Sequence, residues 1–256
     1  ENITKPENGR LYRTIVNRIW AQMMGRGLVE PVDLMDNEPW SQDLLDWMAF
    51  NFVEGKANIK ELIYLIASSN SYQLPSVAIK DPNKITAQDF IFKGMLTKRM
   101  SAEQFTDAVS YLIHPVFVDS LMGYNPYDKN VQQSARPSFA RAAFVINNPF
   151  LIALGRPSRE NVSTSRESQA TLLQALELTK GERFGEALKK GAVEWKGKYR
   201  TGDLIIKEFY RKALYRAPTR KEFEVAKKAL GDKPKPEDVE DLFWAVVLLP
   251  EFQIIY

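Results

Sequence analysis

A repeated helical signature constrains this chain most. Apolar residues recur at three-and-four spacing in run after run, and capping residues, glycine or proline close each run. Leu11, Ile15, Val16, Ile19, Trp20, Met23 and Met24 share one helical face, and Gly25 and Gly27 end it, which predicts a helix over about residues 8–25. Pro31 and Pro39 bracket a loop, and Ser41 then serves as N-cap for a run through Leu44, Leu45, Trp47, Met48 and Phe52 that stops at Gly55. Asn58 and Glu61 open a third run through Ile59, Leu62, Ile63 and Ile66. Ser101 with Gln104 and Thr219 with Glu222 spell capping boxes, and Pro236 suits a helix start. Further helices are expected after residue 171 and over about 182–195, 203–215, 219–230 and 237–249. The segment 142–154 is apolar but interrupted by Asn147, Asn148 and Pro149, so helix and strand compete there. The expected class is all-α: an irregular multi-helix architecture with long polar loops and at most minor β structure.

Size and charge leave the domain count open. At 256 residues the chain is long enough for one large or two modest cores. One helical unit over 1–256 is the simplest organisation, with a possible division into an acidic body, 1–180, and a basic C-terminal part, 181–256. The asymmetry is real: residues 180–235 hold 17 Lys and Arg against 8 Asp and Glu, a surplus of 9, so with a net charge of +3 the remainder carries −6. On helices such a surplus reads first as a solvated face, and nucleic acid is disfavoured as a partner. No apolar run approaches the roughly 18 residues of a membrane span. The chain lacks an initiator Met and a secretory signal and opens on a polar stretch, as an excised piece of a larger protein would.

Several chemistries are excluded outright. With no Cys there is no disulfide, thiolate metal site or cysteine nucleophile, and one His cannot build a histidine zinc site. No metal is expected. That residue, His114, precedes Pro115 at a predicted helix end, where a capping role is the first expectation. Asp33, Asp36 and Glu38 crowd one loop without the spacing of a calcium loop, so an acidic turn is expected. No phosphate-binding glycine loop is present. The sharpest candidate site is the polar stretch 155–169, where Arg156, Arg159 and Arg166 feed a helix start suited to an anion, with Glu167 beside them or pairing them internally. The loop 123–138 offers Tyr124 and Tyr127 as platforms for a sugar ring.

Longer strings carry a family signal. Ile15-Val-Asn-Arg-Ile-Trp20, Gly25-Arg-Gly-Leu-Val-Glu-Pro-Val-Asp33 and Leu44-Leu-Asp-Trp47 resemble the opening of the C-terminal uncharacterised domain (domain of unknown function 1553, PSD1-like) of planctomycete-type cytochrome-c multidomain proteins. Ser71-Tyr-Gln73, Arg99-Met-Ser-Ala-Glu-Gln104, the string from Arg166 through Gln174 to Leu176, and Leu214-Tyr-Arg-Ala-Pro-Thr-Arg-Lys-Glu222 follow in the same order. The motif residues to watch are Asn17, Arg18, Trp20, Arg26, Gly27, Tyr72, Gln73 and Gln174. Members often carry a histidine before the Leu-Leu-Asp string, where this chain reads Pro39-Trp-Ser-Gln-Asp43.

The resemblance implies an extracytoplasmic location, in the periplasm or cell envelope of a Gram-negative bacterium, with upstream domains of the same polypeptide as partners. Haem is implied only in those upstream domains, since no C-x-x-C-H occurs here and no cofactor is expected in this piece. It transfers no catalytic residue. The leading reading is a non-catalytic binding or interaction domain for polysaccharide or a partner domain. The alternatives are a carboxylate-based polysaccharide-active enzyme and a purely structural packing module.

Overall fold

A computed structural model describes residues 5, 7–79, 84–117, 141–158 and 171–255. The chain is predominantly helical. The strands among the described residues are Lys98–Arg99 and Ile254–Ile255, two residues each, beside one isolated bridge between Val77 and Leu96. No helix among the described residues is long and apolar enough to cross a membrane.

The chain divides into two compact units, residues 1–98 with 255–256, and residues 99–254. The division thus falls at 98/99 and not near 180, where the charge changes. Leu178 and Phe184 flank residue 180 and share one apolar core with Phe105 and Val109. Lysines and arginines on outer helix faces alter local charge without interrupting the buried face, so a charge boundary need not be a packing boundary.

The first unit holds α1 (Gly9–Met24), α2 (Gln42–Glu54) and α3 (Ile59–Ala67). Their inward faces close a core of Val16, Trp20, Met24, Leu45, Met48, Phe52, Leu62 and Ile66, with Leu28 and Val29 added from the loop after α1. Gly25 ends α1 in the left-handed conformation at φ 83°, which glycine adopts without steric cost. Asn58 caps α3 by accepting from the Lys60 amide.

The loop 25–40 is built on side chains. Asn17, fully buried, accepts from the Val29 amide at 3.0 Å through Oδ1 and donates through Nδ2 to the carbonyls of Val29 (3.0 Å) and Val32 (2.9 Å). The Gly27 carbonyl accepts from Trp40 Nε1 at 3.0 Å, and its amide donates to Glu30. A Cβ at Gly27 would stand 2.4 Å from the Val29 carbonyl oxygen and 3.0 Å from Asn17 Oδ1, so no side chain fits. Gly27→Ala is expected to cost about 2 kcal/mol or more through this overlap, read as a lower urea midpoint with an unchanged slope. Trp40 stacks on Phe92 at 5.8 Å and meets Phe90 edge-on, while the buried Arg26 guanidinium lies over Phe90 and donates to the Ile85 carbonyl.

The second unit holds α4 (Ala102–Leu112), α5 (Pro149–Ala153), α6 (Leu172–Lys180), α7 (Glu182–Lys198), α8 (Gly202–Leu214), α9 (Arg220–Leu230), α10 (Pro236–Val247) and α11 (Pro250–Gln253). Both capping boxes read from the sequence form, at Ser101/Gln104 and Thr219/Glu222. The ambiguous stretch 142–154 becomes a 3₁₀ turn, Ala142–Phe144, and then α5, with Asn148 as N-cap and Pro149 in the first turn. The core centres on Trp195, Phe209 and Phe243, with Phe209 stacked on Phe243 at 4.2 Å. Gly191 lets α7 pass so close to Ile113 that a Cβ would meet Ile113 Cγ2 at 2.3 Å.

Candidate functional site

Among the described residues a cleft lies in the second unit, with a cavity volume of about 530 Å³, inside the range typical of small-molecule sites. One wall is α7, which sends Glu182, Arg183, Glu186 and Lys190 into it at helical spacing. The lining also takes in His114, Pro115 and Val116, just past the end of α4, and Asn148, Pro149 and Phe150 at the start of α5. Glu177 of α6 completes the lining. Val116 and Phe150 belong to the core beneath, so the polar rim stands on a rigid apolar base.

The wall of α7 carries both signs of charge. Lys190 pairs with Glu186 at 3.6 Å. Arg183 lies over the Phe117 ring at 5.1 Å and has no carboxylate partner among the described residues. His114 Nδ1 sits 2.8 Å from Oε1 of Glu194, a residue one turn beyond Lys190 on α7 and outside the lining. A carboxylate can only accept here, so Nδ1 carries the hydrogen, and in the neutral tautomer Nε2 is the acceptor. His114 therefore does not cap α4, the role expected from its position. It joins α4 to α7, eighty residues away in the chain.

The predicted anion site comes out differently from its composition. Arg156 is 7% exposed and points inward, donating through Nη1 to the carbonyls of Val145 (2.9 Å) and Ala142 (3.2 Å), with Glu103 at 3.5 Å from Nε. Its fork holds the 3₁₀ turn against α4. Arg159, Arg166, Glu167, Tyr124 and Tyr127 lie outside the described residues. Asp33 and Asp36, two of the crowded acids, pair with Arg18 and Arg10 of α1, while Glu38 accepts from Gln88.

The family-motif residues mostly build structure. Asn17, Trp20, Arg26 and Gly27 organise the loop after α1, Arg18 pins Asp33, and Tyr72 packs against the first core. Gln73 is exposed. Gln174 is buried and accepts from Arg99 Nη1 at 3.1 Å, while Arg99 Nη2 reaches Gln253 at 2.9 Å.

The Leu214–Glu222 string makes a clamp. Arg216 binds Glu222 through both terminal nitrogens, at 2.8 and 2.9 Å, and Glu251 through Nε and Nη2, at 2.7 and 2.6 Å. These bonds hold the Glu222 carboxyl down to about 2 and also lower that of Glu251. Because the folded carboxylates hold protons less readily than the unfolded ones, the clamp's contribution is complete above the ordinary carboxylate range. It is lost as pH falls from about 5 towards 2. The urea midpoint of the wild type should fall across that window, and Arg216→Met should lower the midpoint at pH 7 while flattening the fall.

The fold and the cleft define an all-α protein with a polar, ligand-sized cavity in its second unit and a motif-built loop in its first. The chain belongs to the PSD1 family of proteins of unknown function (DUF1553), whose family pattern matches residues 1–230. No curated protein and no solved structure matches it.

Proposed function

We propose that this chain is a recognition domain of a larger extracytoplasmic protein, and that the second-unit cavity binds an uncharged, hydroxyl-rich ligand of the glycan class. The observation that carries this reading is the lining: Glu177, Glu182 and Glu186 as acceptors, Arg183 and Lys190 as donors, and Asn148 between, around an apolar base. Sugar hydroxyls both donate and accept, so a rim that interleaves the two satisfies them without a net charge on the ligand. Three carboxylates against two cations disfavour a sulfated or uronic polymer at this site. The extracytoplasmic setting and the upstream partner domains rest on the family resemblance.

Calorimetric titration with neutral hexasaccharides of glucose, mannose and xylose, and with a galacturonic acid hexasaccharide, tests the reading. At least one neutral ligand should bind more tightly than the uronate. Glu186→Ala and Arg183→Ala should each weaken that binding about tenfold or more, the loss of one or two charge-assisted hydrogen bonds. No binding, or binding that ignores both substitutions, would overturn the assignment.

A second reading has its own observation and concerns the first unit. Trp47 and Phe50 on α2, and Ile59 and Ile63 on α3, are between 43% and 64% exposed. Large apolar side chains left in water at one helical spacing favour a packing role towards other domains of the polypeptide.

A further inference from the structure

We propose that the same cavity is a hydrolytic centre, in which His114 is the general base and Glu194 its positioning residue, and that the substrate is an ester carried on the hydroxyl-rich ligand. The inference rests on the recognition reading for its ligand and goes beyond it in the chemistry.

Three observations carry it. First, His114 lines the cavity and Glu194 does not, and the Nδ1 of that ring is taken up by the Glu194 carboxylate on α7. Second, the 2.8 Å contact fixes the proton on Nδ1, which leaves a basic lone pair on Nε2, and no hydrogen-bond partner for Nε2 exists among the described residues. An imidazole held at one nitrogen by a carboxylate, with its other nitrogen without a protein partner at the lining of a ligand-sized space, is the arrangement that general-base catalysis needs. Third, Arg183 lines the same cavity with no carboxylate partner among the described residues, so a cation is available there to meet developing negative charge.

The step balances with water alone. Nε2 takes a proton from a water molecule as its oxygen bonds to the ester carbonyl carbon, and the carbonyl oxygen gathers negative charge opposite Arg183. When the intermediate collapses, the bond from that carbon to the alcohol oxygen breaks, and the imidazolium returns its proton to the departing alkoxide. A carboxylic acid and a free hydroxyl result, and His114 is regenerated. Glu194 stabilises the transient imidazolium across the Nδ1 hydrogen bond. An ester suits this set because its alkoxide leaves with no acid stronger than imidazolium and no covalent nucleophile.

The test is acetate release from acetylated xylo-oligosaccharides, followed against pH, alongside calorimetric binding of the deacetylated oligosaccharides. The wild type should release acetate, and His114→Gln should lower kcat about 100-fold with KM little changed. Glu194→Gln, a change at an exposed position, should lower kcat about tenfold. It should leave KM little changed, and Glu194→Asp should recover part of the lost kcat. A purely structural role for Glu194 would instead change KM and kcat together. Wild-type release no faster than buffer, or His114→Gln as active as wild type, would overturn the hydrolytic reading. If the deacetylated sugars still bind in that case, the recognition reading stands; if they do not, both readings fail.

Discussion

Asn17→Asp should destabilise the first unit by about 4 kcal/mol, enough to lower its melting temperature by more than about 15 °C or prevent folding. The substitution changes one atom's chemistry and nothing in size. The amide reads the backbone of Val29 from both sides, accepting from its N–H and donating to its carbonyl, and donates again to Val32. In aspartate an acceptor replaces the donor, two hydrogen bonds vanish, and an anion faces two carbonyl oxygens at a site with no solvent access. Asn17→Ala should cost less, about 3 kcal/mol, since it removes the bonds without adding charge. Urea unfolding followed by tryptophan fluorescence gives the order. Trp20 and Trp40 lie against the loop that Asn17 holds, so their emission should report its loss.

Arg156→Ala should cost about 3–5 kcal/mol in the second unit, the effect of removing one member of a buried ionic network. Arg156 is 7% exposed, with Glu103 at 14%, and its fork ties the carbonyls of the turn Ala142–Phe144 to that carboxylate. Truncation leaves the turn's carbonyls short of a donor and removes a buried cation from beside Glu103. Arg156→Lys should recover only part of the loss, because an ammonium cannot reproduce the planar fork. Circular dichroism melts of both variants give the measurement. A stable Arg156→Ala protein with altered ligand affinity would instead return this arginine to the role expected from the sequence.

The comparison between these two residues shows where sequence reading reaches its limit. Arg156, Arg159 and Arg166 look alike in a polar segment, and guanidinium chemistry suits an anion as well as it suits a buried carbonyl cluster. Only the fold turns Arg156 inward, because α5 ends beside it and α4 presents Glu103. His114 is the converse case. A lone histidine at a helix end reads as a cap, and its partner Glu194 sits eighty residues on, among many charged residues with no distinguishing pattern. The cleft they border is equally illegible, since Glu177, the α7 wall and the Asn148–Phe150 corner are separate, individually ordinary segments.

The sequence by itself determined the helices and their ends. Three-and-four spacing makes one face apolar whatever the surroundings, and Ser101, Thr219 and Gly25 satisfy or terminate backbone groups within a few residues of themselves, while the stretch 142–154 left helix and strand in competition and only the structure shows Asn148 capping α5. It also carried the family strings. The tertiary structure alone decided the division at 98/99, the inward turn of Arg156 and the convergence of His114, Arg183 and Glu186 on one cavity. Local interactions decay within a turn of helix and leave a periodic trace, whereas contacts between distant segments depend on how whole faces pack and leave none.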